Sequence, residues 1–303
     1  MKCQAKIKRW FLLVGPFLLM ISIIAWAESL PLRLDAHLSK QWYLEGEPIV
    51  IVLSITNTEQ TELTVAEPLA REGFVKNVIT TFDGRDPNAP QLVWDILMPP
   101  PSYGVRLDPG ESLEIEWAIN ETYPYGLKPG KYKLIPIYDT TKYSNIYPEI
   151  WHGRIYGPEL VFEVKVPKGA EKEAYSLLTA GRDILLGYQN THYGESRKML
   201  LDLTSRYPQS VYAPYAYYLL GKTYFVKQAD KTQHFGKATQ EFQNFLKKFP
   251  KYPYYSDIVR VSNLPYSLLK IGRTDLAQEI LKEAPNGYYK QRTLRQIEKK
   301  GGQ

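Results

Sequence analysis

Pro48-Ile-Val-Ile-Val-Leu-Ser-Ile55 decides how the N-terminal half is read. Gly46-Glu47-Pro48 opens this short β-branched run and Asn57 closes it. Side chains branched at Cβ suit a pleated surface, and turn residues at both ends stop the run, so it predicts a strand. Working outward, Leu113, Ile115, Trp117 and Ile119 alternate with Glu114, Glu116 and Ala118, a strand with one wet face. Leu160, Phe162, Val164 and Val166 alternate likewise against Val161, Glu163 and Lys165. Asp108-Pro109-Gly110 and Lys128-Pro129-Gly130 place Pro and then Gly where a type II turn takes them. Short strands broken by such turns over residues 30–166 predict an antiparallel sandwich.

Past Pro167-Lys168-Gly169, a linker by composition, the period changes to a helical one. Residues 171–285 carry three imperfect copies of one unit. The middle copy reads Tyr217-x2-Leu220-Gly221-x2-Tyr224, then Ala238-x3-Phe242, then Pro250. The first reads Leu177-x2-Ala180-Gly181-x2-Ile184, then Ser196-x3-Leu200, then Pro208. The third reads Val261-x2-Leu264-Pro265-x2-Leu268, Gly272, then Ala277-x3-Leu281, with Pro265 in the place of the small residue. Small residues let two helices approach, large ones fill the space between them, and proline ends the second helix. One such unit cannot bury its apolar face alone, whereas three stacked units can.

The spacing matches the tetratricopeptide pattern, with Tyr217 in its Trp position. Arg206-Tyr-Pro-Gln-Ser-Val-Tyr-Ala213, running into Ala216-Tyr-Tyr-Leu-Leu-Gly221, resembles the tetratricopeptide proteins of the bacterial cell envelope. Those include the outer-membrane assembly lipoproteins and the Tol–Pal coordinator type. In the first half, Leu127-x-Pro129-Gly130-x-Tyr132 resembles the tyrosine corner of immunoglobulin-like and fibronectin-type domains. That resemblance implies that the Tyr132 hydroxyl bonds the backbone a few residues upstream. The expectation is an all-β immunoglobulin-like sandwich followed by an all-α tetratricopeptide-like helical repeat domain. Its parts are a signal peptide over 1–27, the sandwich over 28–167, the helical repeats over 168–290 and a basic C-terminal tail over 291–303.

The leader reading rests on three consecutive features. Lys2, Lys6, Lys8 and Arg9 come first without an acid, an apolar run from Trp10 to Ile24 follows, and Ala25-Trp26-Ala27 precedes Glu28. Charged start, apolar middle and small-residue exit are the parts of a secretory signal. The predicted location is therefore periplasmic or extracellular; the alternative is an uncleaved N-terminal membrane anchor. Cys3, the only cysteine of 303 residues, precedes the apolar run and leaves with it, which excludes a disulfide framework. Cleavage also removes four positive charges, leaving 34 basic against 32 acidic residues, and no phosphate-tracking cluster of Lys and Arg stands out. Nucleic acid is not an expected partner.

His37, His152, His192 and His234 are scattered, outside any His-Glu-x-x-His setting. The chain has no Gly-x-Ser-x-Gly elbow, Walker loop or dinucleotide fingerprint. The expectation is a non-enzymatic protein without cofactor or metal, an exported scaffold that binds protein through its helical repeats. Alternatives are carbohydrate or cell-wall binding through the β-sandwich loops, and an unrecognised hydrolase.

Two sets of residues are the binding candidates. On the first helix of each unit, steps of three and four put Tyr215, Tyr218, Lys222 and Phe225 on one face, with Tyr175 and Arg182 equivalent in the first copy and Tyr266 in the third. A groove mixing Tyr with two cations suits an acidic or aromatic peptide; the same stripe could instead be core against the sandwich or a neighbouring helix. The second set is Tyr143, Tyr147, Trp151, Arg154 and Tyr156, aromatic and polar-tipped, in a long stretch between two strands. Residues 28–167 have twelve basic and twenty acidic side chains, a net of −8, and residues 168–303 have twenty-two and twelve, a net of +10. Opposite fields favour docking of the halves, within one chain or between two copies. The other expected partner is an envelope protein or peptide segment.

Overall fold

A computed structural model describes residues 30–66, 75–81, 104–119, 127–141, 148–186, 193–225, 234–284, 290, 293–295 and 297–298, with backbone only for 75–81, 184 and 186. Ten strands come first: β1 (Leu32–Leu38), β2 (Trp42–Leu44), β3 (Val50–Asn57), β4 (Leu63–Ala66), β5 (Val75–Thr81), β6 (Gly104–Leu107), β7 (Ser112–Ala118), β8 (Gly130–Asp139), β9 (Arg154–Tyr156) and β10 (Leu160–Lys165). The helices follow: α1 (Ala170–Leu186), α2 (Tyr193–Arg206), α3 (Ala213–Phe225), α4 (Phe235–Lys248), α5 (Tyr255–Ile258), a π-helical turn (Val259–Asn263), α6 (Leu264–Lys270) and α7 (Thr274–Glu283). None of them is long and apolar enough to cross a membrane. The leader over 1–27 lies outside the described residues.

The strands do not build a two-sheet sandwich. They form a three-stranded sheet (β1-β3-β7), a five-stranded sheet (β2-β10-β8-β5, with β9 beside β8) and a two-stranded ladder (β4-β6). β2 runs parallel to β10, and every other pair in these sheets is antiparallel. Together they curl into a half-barrel. Two buried polar groups tie the small sheets to one another. Asn57 donates its amide to the carbonyls of Thr61 and Leu107, and the Tyr138 hydroxyl donates to Ala66 O at 3.0 Å.

β3 explains why the expected class fails. Its odd positions Ile51, Leu53 and Ile55 enter the core of the β half with Leu34, Trp117, Tyr132, Leu134 and Phe162. On the opposite face Val50 pairs with Ala118, and both enter the core formed by the helices. At 5% and 0% exposure these two side chains are as buried as the helical core itself. A strand covered on both faces reads as a continuous apolar run rather than an alternation. The helices are therefore not a self-standing all-α repeat domain. The molecule is mixed α/β, and its helical core is completed by two strand residues.

Several local expectations hold. Glu111 N–H donates to Asp108 O at 2.9 Å and Gly110 takes φ +78°, as a type II turn requires. Gly130, by contrast, takes no left-handed φ and opens β8. The Tyr132 hydroxyl donates to Lys128 O at 2.5 Å. Helices α1 and α2, and then α3 and α4, occupy the spans their spacing predicts, and small residues sit where they meet. A Cβ on Gly181 would come within 2.8 Å of Leu200 Cγ, and one on Gly221 would run into the Phe242 ring.

The third copy departs most. Pro265 cannot donate the helical hydrogen bond to Val261 O. The chain widens there into the π turn, and the Val261 carbonyl is taken at 3.0 Å by the Thr293 hydroxyl from the C-terminal segment.

Candidate functional site

The stripe expected to line a groove is closed. Tyr218 is 5% exposed; its ring lies 4.7 Å from Tyr255, 6.3 Å from Phe245 and 6.5 Å from Phe242. Tyr215 is also buried, 5.1 Å from the Tyr255 ring. Tyr255 of α5 packs on both, and no residue of α3 is exposed, so the helix does not present an open face. Tyr217, expected in the repeat core, is only half-buried, with its ring on Phe249 and Lys248 Nζ 5.3 Å from its centre.

On α1 the stripe turns to the β half. Tyr175 packs beside Gly46, 5.6 Å from the ring of Tyr212, and the Tyr212 hydroxyl donates to Glu45 O at 2.7 Å. Gly46 takes φ +82° with the Tyr175 ring where its side chain would be, which admits no other residue without movement. Burial pushes the hydroxyls of both Tyr175 and Tyr212 above the ordinary tyrosine range, and nearby acidic side chains add to this. Across the same seam Tyr254, the one described non-glycine with positive φ (62°), donates its N–H to the Glu116 carboxylate. Arg182 is 3% exposed, and its guanidinium donates to Asp183 at 3.2 and 3.3 Å. Tyr175, Tyr215, Tyr218 and Arg182 are thus packing residues, the alternative their spacing left open.

The β-loop candidates divide. Tyr143 and Tyr147 lie outside the described residues. Trp151 folds back onto the sheet, its ring stacked on Tyr138 at 5.9 Å and its backbone N–H donated to Thr64 O. Arg154 forks onto the buried Asp139 carboxylate at 3.0 and 2.7 Å, which holds its guanidinium above the usual arginine range. Arg154 and Tyr156 are both exposed, Tyr156 at 60%.

What remains of the helical candidates converges at the C-terminal end of α3. Phe225, Phe235 and Tyr266 form a ring triad with centroids 5.5, 5.8 and 6.1 Å apart. Lys222 Nζ lies 5.7 Å from Phe225, and Lys270 Nζ lies 5.1 Å from Tyr266. Next along α3, Tyr224 has Arg197 4.7 Å and Lys237 5.7 Å from its ring centre. Four cations and four rings from α2, α3, α4 and α6 therefore gather around the last turn of α3. All four rings are half-buried, while Lys237 and Lys270 are exposed. Among the described residues Arg197, Lys237 and Lys270 enter no ion pair.

Sequence reasoning named Lys222, Phe225 and Tyr266 but missed the rest of this cluster. Lys222 to Phe225 and Tyr266 to Lys270 are i,i+3 and i,i+4 pairs, legible on a helix. Arg197 and Lys237 reach Tyr224 from other helices, which no spacing reports. The cluster can bind through ring faces and fixed positive charge. No protein-family model and no curated protein matches the chain.

Proposed function

We propose that the protein is an exported, non-enzymatic scaffold that holds another protein at the cation-capped ring cluster at the end of α3. One observation carries the reading: four half-buried rings, two of them packed against the helical core, converge with four cations, two of which are exposed. Aromatic side chains ringed by charge are the usual composition of a binding site's centre and rim. Export rests on the leader over 1–27.

The test is crosslinking of the chain in its own envelope, followed by capture. Tyr266→Ala should lower capture of the crosslinked partner about tenfold. Unchanged capture by that variant overturns the reading.

A second reading, sugar binding on the β half, is favoured by Trp42 and Tyr156. They are 50% and 60% exposed on the outward face of the five-stranded sheet. Loss of capture on Trp42→Ala and Tyr156→Ala, with Tyr266→Ala silent, would select it.

A further inference from the structure

We infer that the turn Pro253-Tyr254-Tyr255 is a strained latch: Glu116 of β7 holds it, and loss of that acceptor releases the first turn of α5 while the other helices stay packed. The inference is independent of the ring cluster at the end of α3.

The strain has a local cause. Pro253 fixes its own φ at about −65° and has no N–H to give. Two residues later α5 is already under way. The Ser256 N–H donates to Tyr252 O and the Ile258 N–H to Tyr254 O, both at 3.0 Å, and the Ser256 hydroxyl donates to Phe249 O at 2.8 Å. The Tyr255 ring is fully buried, 5.1 Å from Tyr215 and 4.7 Å from Tyr218. With a proline on one side and a buried ring on the other, the reversal of the chain falls on Tyr254. Its φ of 62° and ψ of −53° are closed by the Tyr255 N–H on Pro253 O at 2.7 Å. This is the γ-turn of positive φ, the rare and strained hand of that turn. A residue with a Cβ stays there only where its surroundings impose it.

Those surroundings include the β half. The Tyr254 N–H donates across the seam to the Glu116 carboxylate. Glu116 pairs with Val52 of β3 and stands two residues before Ala118, which enters the helical core. The acceptor is therefore fixed by a strand rather than carried by the helices. A backbone N–H bonded to a carboxylate is one of the stronger hydrogen bonds, and here it offsets the strain of the turn. Without it Tyr254 relaxes to negative φ, and the hydrogen bonds of Tyr255, Ser256 and Ile258 open together. Downstream, the π turn over Val259–Asn263 already interrupts the regular helical ladder, which gives the opening a place to stop. The first turn of α5 is thus a two-state element whose balance is set from β7. Through it, a change at the β half reaches the ring that packs on Tyr215 and Tyr218.

Native-state amide exchange of the mature chain, read at Tyr255, Ser256 and Ile258, tests both parts. Glu116→Leu removes the acceptor and should accelerate exchange at these amides about tenfold, while the amides of α1 change less than about twofold. Glu116→Gln keeps an accepting oxygen, so the acceleration should stay below about threefold. Tyr254→Gly and Tyr254→Ala both remove the ring, but only Gly takes positive φ without a steric cost. Protection of the three amides should therefore be about fivefold to tenfold greater with Gly than with Ala. At an unstrained position the order is the reverse, because Gly gives the opened chain more freedom.

Unchanged exchange in Glu116→Leu, or equal acceleration at α1, overturns the latch. Equal protection with Ala and Gly, or more with Ala, overturns the strain on which the latch depends. The Tyr254 pair leaves β7 untouched, so it tests the inference even if Glu116→Leu does not fold.

Discussion

Two adjacent residues, Tyr217 and Tyr218, separate packing from periphery on α3. Tyr218 sits among Phe242, Phe245 and Tyr255, whereas Tyr217 lies at the edge under Lys248. Tyr218→Ala should therefore cost about 3–5 kcal/mol of stability, the range for a truncated buried aromatic. Tyr217→Ala should cost roughly 1–2 kcal/mol, because its ring is only partly buried at the edge of the helical core. Urea denaturation of both variants checks the order. The helical period put both residues on a helix but assigned them the other way round. Periodicity gives the relative angle of two side chains; which angle faces the core depends on the neighbours that arrive. Here the residues around α5, far along the chain, cover the side that repeat logic leaves open. Gly221→Leu has a clearer expectation, since its side chain would meet the Phe242 ring. Overpacking should cost about 1–3 kcal/mol and lower the melting temperature.

At the scale of elements, the paired helices α1–α2 and α3–α4 were legible, because small residues at Gly181 and Gly221 and large ones at Leu200 and Phe242 specify close approach. The third unit was legible only as an irregularity at Pro265. What the chain does about that proline, a π turn closed by Thr293, comes from a residue 28 positions later. Thr293→Val keeps the shape and removes the donor, so the buried Val261 carbonyl loses its partner. The expected cost is about 1–3 kcal/mol. Amide exchange of residues 259–271 should accelerate more than that of α1 in the same variant; uniform acceleration would mean that the hydroxyl does not act locally. In the cluster at the end of α3, the pairs within one helix could be read from spacing. The contacts between helices could not, because each depends on the angle at which α2 and α4 cross α3.

At the scale of the molecule, the named contacts across the seam are a tyrosine hydroxyl, a carbonyl, a backbone amide and one carboxylate, around the apolar contact of Val50 and Ala118. The opposed charges of −8 and +10 suggested a salt-sensitive joint, whereas this chemistry predicts one that salt scarcely affects. The pH dependence should instead be alkaline. Burial raises the hydroxyl pKa of Tyr175, Tyr212 and Tyr252 in the fold, whereas an unfolded tyrosine ionises near pH 10. Their contribution is complete below about pH 10 and is lost as pH climbs through the raised folded values. Urea midpoints measured from pH 8 to 11 should fall in that upper range and move little with salt. Tyr212→Phe, which cannot ionise, should flatten part of the fall. A sandwich and a separate repeat array were the natural reading of a β-patterned half followed by a helix-patterned half. Sequence reports the period of each segment, but not that Val50 and Ala118 leave one core to finish another.

That shared strand has a consequence for the order in which the chain is made. Synthesis delivers β3 early, yet the helical residues that share a core with its Val50 side begin at Ala174, about 120 positions later. At ~5–20 residues per second, that leaves an apolar strand face uncovered for at least roughly 6–25 s. A newborn chain therefore completes its first half last, and anything that shelters nascent apolar surface has its longest opportunity on β3 and β7.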